Sequence, residues 1–184
     1  MTVRKLHLLG SPVLRQRAAP VATVDAAVRE LVDDLFDTMR AAKGVGLAAN
    51  QVGIAHRVAV VDVGDDDPPP LVLVNPRIVT ASDEHETAEE GCLSIPEIYG
   101  EVSRPDRIVL EAQDREGQPY RRELEGLVAR AVQHEIDHLD GILFLDHLSM
   151  LKRQRALAKF KKEHKGQGVI RKVTPPSEDG QRSL

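Results

Sequence analysis

Residues 133–141 read QHEIDHLDG. Two histidines stand four apart, a glutamate follows the first, and a glycine closes the stretch. On an α-helix, positions four apart lie about 40° apart around the axis. His134 and His138 are therefore expected to project from one face. Leu127 and Ala131 share that stripe, so the face should point inward. Buried imidazoles need partners, and two neighbouring ones invite a cation. Glu135 sits about 100° round from His134, within reach of a water on that cation without ligating it. This is the H-E-x-x-H arrangement of metallohydrolases. Taken alone, the helix has a lesser reading as a polar face with ordinary ion pairs.

Working outward, the pattern predicts a helix from about Leu127 to Asp140, stopped by Gly141. A basic helix over about 148–165 follows. Upstream, Val28, Leu31, Leu35 and Met39 recur at three- and four-residue spacing, predicting a helix over 25–42 with Asp25 as N-cap. HRVAVVDV (56–63) and LVLVNP (71–76) read as strands, separated by the helix-breaking loop DDDPPP (65–70). Residues 77–96 look extended, with a turn near Ser82 and Asp83. DRIVLEAQD (106–114) and YRREL (120–124) read as a hairpin. Strands fill the first half and a helix follows, which predicts an α+β fold with no alternating βαβ units. We expect one catalytic domain over 1–165, including the basic helix, and a flexible tail over 166–184.

Composition narrows the function classes. A chain of 184 residues with 41% hydrophobic and 29% charged residues fits one soluble globular domain. A formal net charge of −4 gives no whole-protein case for binding nucleic acid, so no DNA partner is expected. Aromatics are only 3%, which leaves little for stacking bases. The single cysteine, Cys92, cannot close an internal disulfide, which favours a reducing cytoplasm. The run LHLLG is too short for a signal-peptide core, and no apolar run approaches a membrane span.

A catalytic metal of this type usually takes three protein ligands and keeps a position for water. The extended metzincin pattern needs a third histidine where this chain has Phe144, so that class is excluded. A downstream Glu163 sits in the basic helix without ligand context. Upstream, EEGCLSIP (89–96) places Cys92 after Gly91 in an extended segment. A thiolate is a strong ligand, and metal binding deprotonates it. A lone cysteine also reads as an inert buried side chain, or as a nucleophile paired with a histidine. GVGLAANQVG (44–53) is not a dinucleotide fingerprint, because a helix precedes it and a strand follows. Asn50 and Gln51 there are surface polars, or one of them donates to a developing oxyanion.

Read together, GVGLAANQ (44–51), EGCLS (90–94) and QHEIDH (133–138) resemble the three signature motifs of the peptide deformylases, in order and spacing. The similarity runs from about His7 to Lys165. The resemblance implies an α+β fold with the HExxH helix packed among antiparallel sheets. It implies hydrolytic removal of the formyl group from formyl-methionine on nascent chains, releasing formate. It implies one divalent metal, ferrous iron first, with zinc, nickel and cobalt also compatible with a Cys/His/His set. By position the ligands are Cys92, His134 and His138, the general acid/base is Glu135, and the oxyanion donors are Gln51 and the Leu93 N–H. Substrate backbone is expected near Val45, Gly46 and Gly91, and the methionine pocket near Val45, Leu127, Ala131 and the His134 ring. Many bacterial members carry an arginine where this chain has Tyr99, a difference that falls at the pocket rim. The segment 148–165 holds seven Lys/Arg against one acid, Glu163, which reads as a solvated face or as a ribosome-docking helix. The rival classes are a metallopeptidase and a non-catalytic ribosome-associated metal-binding module.

Overall fold

The computed structural model describes residues 2–64 and 68–174. Within them, β1 (Leu6–His7) precedes helix α1 (Ala26–Ala41), β2 (Gly46–Ala48) and β3 (Val58–Val61). Four longer strands follow: β4 (Leu71–Ala81), β5 (His85–Cys92), β6 (Ile95–Pro105) and β7 (Arg107–Gln113). Then come β8 (Pro119–Glu125), α2 (Gly126–Leu139), α3 (Met150–Glu163) and β9 (Ile170–Arg171). The main sheet has the order β2-β3-β4-β7-β8, with every pair antiparallel. β5 and β6 form a separate long hairpin. The fold is α+β, as expected.

β3 explains how the layers stack. Its four residues are all buried, as in a strand covered on both faces. Val58 and Val60 face a cluster with Leu31, Leu35 and Met39 of α1, while Ala59 and Val61 face Val132, Ile136 and Leu139 of α2. The sheet is thus clamped between two helices. α1 starts where Asp25 accepts a hydrogen bond from the Val28 N–H at 2.9 Å. α2 stops before Gly141, whose φ of 76° suits glycine and whose missing Cβ leaves room for the Arg15 carbonyl. A third cluster joins the β5–β6 hairpin, through Ile95, Ile98 and Val102, to Phe144 and to Phe160 of α3.

Two expectations need correction. Leu127 does not face the core; it lies in the first turn of α2 and is 59% exposed. The tail does not run free from 166. Ile170 and Arg171 pair with β1, and the Leu8 N–H donates to the Val169 carbonyl at 2.7 Å. β1 would otherwise leave a row of unpaired backbone groups. Residues 175–184 of that tail, and 65–67 of the acidic loop, lie outside the described residues. Leu151 and Leu157 of α3 point outward, and only Ala156 and Phe160 pack on the domain. No described helix is long and apolar enough to cross a membrane.

Candidate active site

α2 carries the two histidines beneath the turn that joins β5 to β6. That geometry brings Cys92 Sγ to 3.2 Å from His138 Nε2. One donor atom from each of Cys92, His134 and His138 lies within 4.8 Å of the others, a spacing that one cation can bridge. The His134 and His138 rings are edge to face, with centroids 4.9 Å apart.

The chemistry of the donors fits a metal. His134 Nδ1 lies 3.0 Å from Glu90 Oε2, so Nδ1–H donates to the carboxylate and Nε2 is left for a cation. Burial alone would lower the pKa of His134, but hydrogen bonds to Cys92 and Glu90 raise it well above its ordinary value. Burial, reinforced by the charge of His134, pushes His138 well below its own. A bound cation displaces the remaining protons, as ligation requires.

Glu135 occupies the remaining wall. It is 4% exposed, and its Oε2 has no hydrogen-bond partner among the described residues. Burial pushes its carboxyl up to about 7, against the pull of His134 and Arg104. A base poised near neutrality can take a proton and return it. Gly46 is what allows this placement: a Cβ there would collide with the Glu135 carboxylate. Gly46→Ala should therefore displace Glu135 and lower kcat by on the order of 10²-fold, the scale of an ångström misplacement. Steady-state kinetics with metal analysis checks this; an unchanged kcat would mean that Glu135 has room to move.

The structure separates the two carboxamides. Asn50 donates to the Gln16 carbonyl at 2.8 Å and is fully buried, so it ties a neighbouring turn. Gln51 is aimed at the site. Its Oε1 accepts from the Ala48 N–H at 2.9 Å, while Nε2 lies 3.1 Å from Ser94 Oγ and 3.6 Å from Cys92 Sγ. Leu93 stands in the turn beside Cys92. A cavity of about 470 Å³ opens in front of these groups. Gln51, Leu93, Cys92, His134 and Glu135 line it, as do Val45, Gly46, Gly91, Leu127 and Ala131. His138 lies behind that surface, 1% exposed. Tyr99 rises at the rim, 62% exposed, with its ring against Gly91.

Sequence reasoning missed the support for His134. Glu90 also receives Arg104, through Nε at 2.6 Å and Nη2 at 3.0 Å, and Arg130 Nη1 at 2.8 Å. Arg104 Nη1 reaches Asp137 at 2.9 Å, back on α2. Burial alone would raise the Glu90 carboxyl, but the hydrogen bonds from His134 and Arg104 hold it well below the usual range. One signal was available. Glu90 and Cys92 are two apart on β5 and so share a face, which puts an acid beside the thiol. Nothing in the sequence marks Arg104 or Arg130.

Comparisons with known proteins place the chain in one family. The family model for polypeptide deformylase matches residues 3–154. A peptide deformylase of Chromohalobacter salexigens is 55% identical over 163 residues, which is 88% of this chain and 96% of that protein. A crystal structure of a peptide deformylase from Legionella pneumophila matches with a TM-score of 0.83 at 44% identity, covering 88% of this chain and 95% of that one. One from Ehrlichia chaffeensis, in complex with actinonin, matches with a TM-score of 0.85 at 38% identity, covering 90% and 99%.

Proposed function

The chain belongs to the polypeptide deformylase family, and from that premise we propose how its residues remove the N-formyl group from formyl-methionyl peptides. The observation that carries the reading is the meeting of Cys92, His134 and His138 donors beside a buried, unpartnered Glu135 oxygen. Those three residues hold one divalent cation, and Fe²⁺ is the ion we favour, with zinc, nickel or cobalt as substitutes. When bound, the cation supplies a Lewis acid and makes water acidic enough to be activated near neutral pH.

The chain's own residues do the rest. Val45, Leu127, Ala131 and the His134 ring seat the methionine side chain, while substrate backbone runs along Val45, Gly46 and Gly91. Glu135 accepts the proton of the attacking water. As charge develops on the formyl oxygen, Gln51 Nε2–H and the Leu93 N–H donate to it; one such donor is typically worth about 3–4 kcal/mol. Gln51 does not reorient, because its carbonyl is held by Ala48. Glu135 then delivers its proton to the departing amine, so that formate and the free amino terminus separate. Glu90, backed by Arg104 and Arg130, keeps His134 in the tautomer that ligates.

Release of formate from formyl-Met-Ala-Ser by the metal-loaded chain tests the reading. Unformylated Met-Ala-Ser should stay intact; cleavage of its internal bonds, without formate release from the formyl peptide, would point to a metallopeptidase.

We propose further that the enzyme works in the cytoplasm and meets nascent chains at the ribosome through α3. Support comes from the helix's outward cations. Lys152, Arg153 and Lys159 are engaged with Glu101, Asp146 and Glu163. Arg155, Lys161 and Lys162, and Lys165 just beyond the helix, are exposed and have no ion-pair partner among the described residues. Changing those four to Glu should abolish low-salt ribosome co-sedimentation while leaving turnover of a free formyl-tripeptide within about twofold. Undiminished co-sedimentation would reduce α3 to a solvated cover.

A further inference from the structure

The C-terminal strand lies outside the residues matched by the family model, which end at 154. It nevertheless reaches the active-site cavity. β9 is fixed by pairing of Leu6 with Arg171 and of His7 with Ile170. Beyond it, Val173 packs into the same cluster as the fully buried Leu6. Exposure alternates along this segment: Ile170, Lys172 and Thr174 are exposed, whereas Arg171 and Val173 are partly covered. With the period of two of a strand, the anchoring of Val173 turns Arg171 to the inner side. There it lines the cavity, as do Lys43 and Gly44.

These two cations are unspent. Neither Arg171 nor Lys43 has an ion-pair partner among the described residues. Arg130, which also lines the cavity, is engaged by Glu90. The hairpin side carries the opposite sign, in Glu89 and Glu97.

We infer that Arg171, with Lys43, recognises a carboxylate on the formyl peptide downstream of the methionine, making Arg171 a specificity-determining residue. This rests on the deformylase reading of the site. A cavity of about 470 Å³ holds more than one methionine side chain, and each extended residue advances about 3.3 Å. The second and third residues of the peptide therefore pass the rim. On a nascent chain the carboxylate comes from Asp or Glu; on a short peptide the C-terminus could substitute for it, so the test uses C-terminal amides.

The experiment compares amidated formyl-Met tripeptides carrying Glu or Lys at the second or the third position. The readout is the Glu-to-Lys ratio of kcat/KM within one enzyme preparation, so a loss of folded or metal-loaded fraction cancels. For wild type the ratio at one of the two positions should exceed unity by about two- to fivefold, the scale of an exposed ion pair. In Arg171→Glu it should fall below unity, with the change in KM and not in kcat. Arg171→Lys should retain the preference. Raising salt from about 0.05 M to about 0.5 M should shrink the wild-type ratio, because the screening length shortens. Equal ratios in wild type and Arg171→Glu at both positions would overturn the inference while leaving deformylation intact. Absence of formate release from every peptide by the metal-loaded wild type would overturn the deformylase reading, and this inference with it.

Discussion

Glu135→Gln is expected to retain its metal and to lose turnover by about 10²–10⁴-fold, the range for a positioned acid/base. The substitution keeps the shape of a side chain that is 4% exposed but removes the group that accepts a proton. Oε2 has no partner among the described residues, so the change strands no other buried group. The donor atoms that come together belong to Cys92, His134 and His138, and none comes from residue 135. Metal content and formate release measured on one sample separate the outcomes. Loss of metal in step with activity would make Glu135 a ligand; undiminished activity would remove it from the proton path.

Glu90→Ala should have the largest effect on stability. The Glu90 and Arg104 side chains are each 5% exposed and that of Arg130 is 10% exposed. Removing the carboxylate leaves two buried guanidinium groups without their shared partner. Breaking a buried ionic cluster in this way costs about 3–5 kcal/mol. The same substitution frees His134 Nδ1, and loss of such support typically weakens metal binding by about 10–100-fold. Denaturant unfolding of the metal-free chain reads the first effect, and competition with a chelator reads the second. Glu90→Gln, which keeps an acceptor for His134, should recover more metal affinity than stability. Unfolding and chelator competition that both match wild type in the alanine variant would show that the network supports neither the fold nor the site.

Legibility from sequence followed the range of the interactions. α1 was readable because one apolar stripe and one capping carboxylate specify it locally. The β7–β8 hairpin and the HExxH helix were readable for the same reason. β6 was not, since IPEIYGEVSRP mixes proline, glycine and charge, and its extended form comes from pairing with β5. β9 is only two residues long and exists because β1 needs a partner. Within the site, the three candidate ligands and the candidate base stood in short patterns, whereas the groups holding His134 did not. Glu90 meets Arg104 across 14 residues and Arg130 across 40, distances over which no local period runs. The spacing of Leu127 placed it on the histidine stripe but could not show that the first turn of α2 leaves it exposed.

The central claim is that one thiolate and two imidazoles of this chain hold the metal that supports deformylation. X-ray absorption at the metal edge, on a zinc-loaded sample shown to release formate, tests it most directly. The account predicts one sulfur at about 2.3 Å and two imidazole nitrogens at about 2.0–2.1 Å, with the sulfur lost in Cys92→Ser. A formate-releasing sample whose metal shows no sulfur neighbour, and whose spectrum is unchanged in Cys92→Ser, would contradict it.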